Sequence, residues 1–503
     1  MSTNSDFSRR QFIRTAAIGS AALVLPWGAN GDPYAPFPER ILRPRNPVRI
    51  RGVVKAGRRG LANVAVSDGE TVVSTNGNGS FELISSGHQP FVHVSMPSGY
   101  EIPKSQTGTA NMFYPIAPNA KGEMRAEFDL MKMDGSDENH AFIVFADPQT
   151  QDEYEMNLFQ TETIPDSIKT IAALGDRSVF GVSCGDIMFD HLELYPEYEK
   201  GVKQTNVPFF QVVGNHDMNY KGAVDEASTE TFSSFFGPTY YSFDRGEIHY
   251  VVLDNVFWNG AGYLGYLNGT QLNWLQADLA RVEKGKTVVV FNHIPVLCSQ
   301  YKRQGEGSPS PSVSVTNREA FYRLLEPFNA HIISGHTHEQ EHVFEHGTHE
   351  HVLGAACGAW WSGPICFDGT PNGYGVFEAD GSELKWRHKG TGHPDDYQIR
   401  VYRRGIDPSA PNEIVANVWD WDPEWKVVWY ENGQRKGEMS RRIGLDPLSV
   451  ELHTGADLPP RRTWVEPMKT SHIFYAPVSE GITDVRVEAT DRFGRVYSAT
   501  MEG

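Results

Sequence analysis

Phe209-Phe210-Gln211-Val212-Val213-Gly214-Asn215-His216-Asp217 is a mainly apolar run that stops abruptly in a cluster of polar, ligand-capable side chains. A short run of this kind without alternation reads as a strand buried on both faces, as in a sheet covered by helices. The same punctuation recurs along the chain. Residues 141–146 end in Asp147, residues 179–184 run into Gly185-Asp186, residues 287–291 into Asn292-His293, and residues 331–334 into Gly335-His336-Thr337-His338. A sixth run, residues 249–253, ends in Asp254, which reads as a supporting or structural carboxylate. Between the runs, residues 270–279 and 318–325 carry helical periodicity. Strands alternating with helices predict an α/β layered domain over residues 138–395, with ligands at the carboxyl ends of its strands. Five strand ends then share one rim.

Those ends supply Asp147, Asp186, Asn215, His293, His336 and His338. A carboxylate able to bridge, with oxygen and nitrogen donors on either side, is what a catalytic centre with two divalent metals requires. Taken singly, a strand-end Asp or His is more often a helix cap or a satisfied core group; the ordered set is the signal. Asp190, four residues beyond Asp186, reads equally as an orienting carboxylate and as a cap or surface charge.

Working outward, residues 45–130 are short alternating segments separated by turn signals such as Asp68-Gly69 and Asn76-Gly77-Asn78-Gly79, which predicts a small all-β sandwich. It resembles the seven-stranded sandwich found beside many exported enzymes. A second β-sandwich is predicted over residues 396–503, with its clearest strands at 427–433 and 485–491. Residues 32–45, rich in Pro and Arg, read as a linker. Ahead of it, Ser8-Arg9-Arg10-Gln11-Phe12-Ile13-Arg14 and the apolar residues 16–25 resemble a twin-arginine export signal over residues 1–31, which points to a periplasmic or secreted protein.

Composition narrows the function classes. With 45 Lys+Arg against 63 Asp+Glu, a net charge of −18 over 503 residues, nucleic acid is not an expected partner. No run of about 18 apolar residues occurs, so no transmembrane segment is expected. Cys184, Cys298, Cys357 and Cys366 are too few and scattered for a disulfide scaffold. Cys357 and Cys366 read equally as a disulfide and as two buried thiols. The His-rich residues 342–351 read as an exposed strand pair in preference to a third metal site.

The series Asp-x-x, Gly-Asp, Gly-Asn-His-Asp, strand-end His and Gly-His-x-His resembles the calcineurin-like metallophosphoesterases over residues 138–395. The flanking modules and the segment from Cys357-Gly358-Ala359-Trp360-Trp361 to Asn372-Gly373-Tyr374 are similar to an exported bacterial branch of that family with N- and C-terminal accessory domains. The resemblance implies a four-layer α/β/β/α domain and hydrolysis of a small phosphate monoester or diester. It implies two metal ions, of Mn, Fe or Zn, with hydroxide between them as the nucleophile. Asp186 would bridge the ions, Asp147 and His338 would hold the first, and Asn215, His293 and His336 the second. His216, with its ring oriented by Asp217, would act on the transition state or the leaving oxygen without being a ligand.

One position departs from the family pattern: Gln149 stands where Asp-x-His usually places an imidazole, and an amide oxygen is the weaker ligand for Fe or Zn. That departure keeps a rival reading open, a non-catalytic periplasmic glycan- or envelope-binding protein on a degenerate phosphoesterase scaffold. For substrate, Trp360, Trp361, Asn372 and Tyr374 read either as an aromatic wall or as core packing.

Overall fold

The computed structural model describes residues 46–501; the expected export signal and linker lie outside them. In the central domain two mixed sheets pack face to face. The first has the strand order Phe209–Val212, Ser178–Cys184, Asn139–Phe145, Gly373–Asp380, Glu383–Gly390. Its first three strands are parallel, and Gly373–Asp380 runs antiparallel to both of its neighbours. The second sheet has the order Tyr241–Arg245, Ile248–Val252, Thr287–Phe291, Asn329–Ser334, Thr348–Val352, Glu341–Glu345, with four parallel strands and an antiparallel strand at each edge.

Both faces of each sheet are buried, which is why the strands lack alternation in sequence. Along Asn139–Phe145, Phe142 and Val144 point into the gap between the sheets, and Ile143 and Phe145 point outward. Phe142 stacks on Phe377 at 4.8 Å and meets Tyr250 and Phe291 edge-on at 5.6 Å, so one aromatic seam joins the sheets. Outside the first sheet, the helices Ile164–Ala173 and Tyr195–Gln204 cover Ile143 and Phe145. Outside the second, Gly269–Leu279 and Arg318–Leu325 bury Trp274, Leu275, Phe321 and Leu325 against Val251, Val290 and Ile332. The first of these two starts where Asn268 accepts a hydrogen bond from Gln271 N at 2.9 Å. The domain is thus the four-layer α/β/β/α arrangement.

The N-terminal module is a sandwich of two four-stranded sheets, eight strands where seven were expected. The extra pairing comes from Glu123–Asp129, which runs parallel to Val48–Ala56. Its core is continuous with the inter-sheet core, and Ala110 N donates to Phe209 O at 2.8 Å, so the sandwich extends the edge of the first sheet. The C-terminal module is a second two-sheet sandwich around Val401, Ile414, Phe474 and Val487. It meets the central domain through buried polar bridges: Gln340 Nε2 donates to Asp420 Oδ1 (2.7 Å), and Asn417 and His472 donate to Asp368 (3.1 Å each).

One expectation needs correction here. The His-rich segment is a strand pair, Glu341–Glu345 with Thr348–Val352, but His349, Glu350 and His351 are buried, because Trp386 of the first sheet faces these imidazoles and Phe493 of the C-terminal sandwich packs on Trp386. Cys357 and Cys366 are free thiols, as are Cys184 and Cys298, and all four are buried. Asp254 accepts from Val256 N at 3.3 Å and serves a turn. Among the described residues no helix is long and apolar enough to cross a membrane.

Candidate active site

All six strand-end donors meet at one rim. Asp186 Oδ1, Asn215 Oδ1 and His336 Nδ1 lie 3.2, 3.1 and 3.2 Å from His293 Nε2. His338 Nε2 faces Asp147 Oδ1 at 3.5 Å, and His336 N donates to Asp147 Oδ2 at 2.8 Å. Gln149 is buried beside them and turns its amide nitrogen to Asp186 Oδ2 at 3.2 Å.

The backbone is shaped for this convergence. Of thirteen non-glycine residues with positive φ among those described, eight are Asp147, Gln149, Asp186, Asp190, His336, His338, Trp360 and Trp361. Left-handed backbone costs free energy for any L side chain, and its concentration here marks a constrained site. The glycine of each motif has a local cause as well. A Cβ on Gly185 would lie 2.3 Å from His293 Nδ1, and one on Gly214 would lie 2.0 Å from Asp186 N.

The hydrogen bonds fix which ring nitrogens face inward. His293 Nδ1 donates to Cys184 O (3.0 Å), His336 Nε2 to Ser312 O (2.8 Å) and His338 Nδ1 to Gly358 O (2.7 Å). A carbonyl only accepts, so each of these nitrogens carries the hydrogen and the opposite nitrogen presents a lone pair to the centre. In their neutral form the three imidazoles therefore turn lone pairs toward carboxylate and amide oxygens, and only a proton or a metal cation can stand between the two. Asp147 Oδ1 is buried and accepts no hydrogen bond at all. Such a set is repulsive unless cations sit within it, and the donor chemistry fits divalent transition metals. Asp186, His293 and His336 alone bring three ligand atoms within 4.8 Å of one another.

With protein groups alone, the centre already draws positive charge. Burial opposes charging His293, but Asp186 outweighs it and lifts the imidazole to about 9. Burial also opposes the charge on Asp186, yet His293 and His216 hold it well below the usual carboxylate range. His336 is pushed down to about 4 by burial and by His293.

His216 sits beside this centre, its backbone N–H on Asp186 Oδ1 at 2.8 Å. Its ring is oriented by Asp190, not by Asp217 as expected: Nδ1 donates to Asp190 Oδ1 at 2.6 Å, and Tyr220 OH donates to the same oxygen at 2.7 Å. Asp217 is buried, accepting from Ile187 N, Met188 N, Gly214 N and Tyr195 OH, and so braces the two motif loops against each other. The left-handed turn at Asp186 and Asp190 carries the more distant carboxylate over to the ring.

Three successive stretches match family models: the N terminal of calcineurin-like phosphoesterase over residues 48–133, calcineurin-like phosphoesterase over 140–340, and the C terminal of calcineurin-like phosphoesterase over 350–497. The chain belongs to the calcineurin-like phosphoesterases. As a calcineurin-like phosphoesterase it is a phosphoester hydrolase. The human serine/threonine-protein phosphatase CPPED1 is 25% identical over 244 residues, 44% of this chain and 76% of that protein. Purple acid phosphatase 22 of Arabidopsis thaliana is 32% identical over 152 residues, 27% of this chain and 31% of the plant protein. The purple acid phosphatase PPD1 structure from yellow lupin superposes with a TM-score of 0.37 at 14% identity, covering 63% of this chain and 56% of that one.

The C-terminal region of this phosphoesterase also reaches the rim. Trp360 stacks on His338 at 4.2 Å and is met by Trp464 at 4.7 Å; the Arg462 guanidinium lies over Phe189, whose ring meets His216 edge-on at 4.4 Å. Of the four expected wall residues only Trp360 lies against the rim donors. Trp361 is 7% exposed and donates to Pro148 O, and Asn372 ties its loop to Gly363 O. Tyr374 is core: it packs on Phe145 and reaches Thr170 and Asp166. Sequence reading missed Tyr220, Phe189, Arg462 and Trp464. Phe189 carried a local signal through its place in the Gly-Asp segment, and Tyr220 through its place four residues after His216; Arg462 and Trp464 arrive by long-range contacts.

Proposed function

We propose that this phosphoesterase hydrolyses small phosphate monoesters or diesters at a dinuclear centre. Asp186 would be shared by both ions, with Asp147, Gln149 and His338 completing one set and Asn215, His293 and His336 the other. The observation that carries this reading is the convergence of the inward ring nitrogens of His293, His336 and His338 on the Asp186 and Asp147 carboxylates, with Asp147 Oδ1 buried and accepting no hydrogen bond. The family's divalent metals, here Mn, Fe or Zn, supply activation of water and neutralisation of phosphoryl charge. Gln149 contributes through its amide, and a half-turn of that group exchanges nitrogen for oxygen at the same place. His216 and Asp190 form a proton-donating pair for the leaving oxygen, and Trp360 with Trp464, their rings tilted by 60°, provides an apolar aromatic corner for the leaving group. A binding protein without turnover has no use for a non-ligand imidazole charged by its own carboxylate, so the catalytic reading is preferred. Residues 45–130, 138–395 and 396–503 serve as its three units, and the twin-arginine-type residues 1–31 direct it to the periplasm or outside.

The test is hydrolysis of p-nitrophenyl phosphate and bis-p-nitrophenyl phosphate by the protein lacking residues 1–31, loaded with Mn, Fe or Zn. Asp186→Asn serves as control. Turnover that disappears in the variant together with bound metal supports the reading, and the ratio of the two rates assigns monoester or diester preference. Full metal content in Asp186→Asn would refute the shared ligand.

A further inference from the structure

Far from the catalytic rim, the inter-sheet core changes chemistry. Along Asn329–Ser334 and Thr348–Val352 the gap side carries His331, His349 and His351 beside Ile333, and His342 pairs with His351 across the hairpin. At equivalent positions nearer the middle of the sheet the gap is filled by Tyr250, Val289 and Phe291. Putting imidazoles in place of apolar side chains between two sheets carries a desolvation cost that needs a compensating partner.

Hydrogen bonding supplies only part of it. His342 Nε2 is 3.0 Å from Asp420 Oδ1 and donates to it, so His342 Nδ1 accepts from His349 Nε2, also at 3.0 Å. That leaves His349 Nδ1 as a lone pair. His331 Nδ1 and His351 Nε2 share one hydrogen at 3.0 Å, and His351 Nδ1 is buried with no partner. His331, His349 and His351 each bring a ring nitrogen within 4.8 Å of the others, all three residues being buried.

We propose that His331, His349 and His351 form a second metal site, separate from the catalytic centre, for a borderline divalent transition-metal cation such as Zn, Cu or Ni. Three neutral imidazoles select such ions over Mg or Ca. The imidazoles are available as ligands: burial, reinforced by Arg492, holds His331 down to about 4, and burial with the neighbouring imidazoles pushes His349 and His351 lower still. The link from His349 through His342 to the Asp420 carboxylate is the outer hydrogen-bonded support that metal-binding histidines commonly have. Access is provided by a surface cavity of about 560 Å³ lined by His331, His349, Trp386 and Arg492. The charge of Arg492 is taken up by Asp422, to which it donates at 2.7 Å. Because Asp420 belongs to the C-terminal sandwich, the ion would tie that sandwich to the hairpin.

The experiment uses Cu²⁺ as probe on the untagged protein, with pulsed electron paramagnetic resonance to count coordinated imidazoles. The catalytic donors offer at most two imidazoles to one ion, His293 and His336, and no other group among the described residues brings three together. A three-imidazole copper signal in the wild type, lost in His331→Gln combined with His349→Gln, is the expected result. Absence of that signal from the wild type overturns the proposal, as does its survival in a folded double variant. Should the double variant fail to fold, the wild-type imidazole count decides alone.

Discussion

Asp190→Asn isolates the contact that orients His216. The substitution keeps the shape of the side chain and turns a carboxylate acceptor, 2.6 Å from His216 Nδ1, into a neutral one. A hydrogen bond to a charged partner contributes roughly 1.5–3 kcal/mol against about 0.5–1.5 for a neutral pair. The Asp190 side chain is 41% exposed, so solvent screening places the difference at the low end, about 1 kcal/mol. A loss of that size in the transition state is a fall in kcat of about fivefold. Substrate KM and metal content should not move, since Asp190 is no donor to the centre. Steady-state rates with p-nitrophenyl phosphate, metal analysis and urea unfolding of the same preparation make the measurement. The reference is Asp217→Asn, which places an amide against three backbone N–H groups and Tyr195, and should lower unfolding stability by about 3 kcal/mol. Unchanged turnover in Asp190→Asn, or an Asp217→Asn protein as stable as wild type with the larger loss of rate, would refute the assignment of the two carboxylates.

Three further outcomes are expected. Gln149→His adds an imidazole next to Asp186 and should tighten the weaker metal about tenfold, read by competition with a chelator; equal affinity would mean that Gln149 does not face that ion. His249 is buried between Asp244 (2.7 Å) and Asp278 (2.9 Å), which outweigh burial and lift it to about 10. Its stabilising charge is fully present below pH about 6.5, its unfolded value, and is lost as pH rises through about 10. The fall in Tm over that window should therefore be shallower in His249→Gln than in wild type, and parallel curves would contradict the pairing. Tyr374→Phe removes a hydroxyl bonded to Thr170 and Asp166 and should cost about 1–2 kcal/mol of stability with turnover intact; a raised KM instead would return Tyr374 to the substrate wall.

The central domain was legible because its signal is local: each strand is a dense apolar run, and each run changes to a donor within one or two residues. Asp147, Asp186, Asn215, His293, His336 and His338 follow from that alone. The orienting role that the resemblance implied for Asp217 falls to Asp190, because the left-handed backbone at Asp186 and Asp190 brings that carboxylate to the His216 ring. The hairpin at residues 341–352 showed its strand pairing, yet its burial depends on Trp386 and Phe493, distant in the chain. Tyr374 and Trp361 share the same obscurity. An aromatic residue after a Gly/Pro-rich loop looks alike in a wall and in a core until the helix above it is in place.

The polar bridges to the C-terminal sandwich bear on the order in which the molecule is completed. Gln340, two residues past the last metal-motif histidine, finds its partner Asp420 only 80 residues later in the chain. Asp368 likewise waits for Asn417 and His472. A chain that has left the ribosome only as far as the Gly-His-x-His motif holds its donors but lacks these partners, at roughly 1–3 kcal/mol for each buried polar group left unpaired. Vectorial synthesis therefore delivers the rim early and braces it late, and a truncation that removes the C-terminal sandwich leaves Gln340 and Asp368 without these partners.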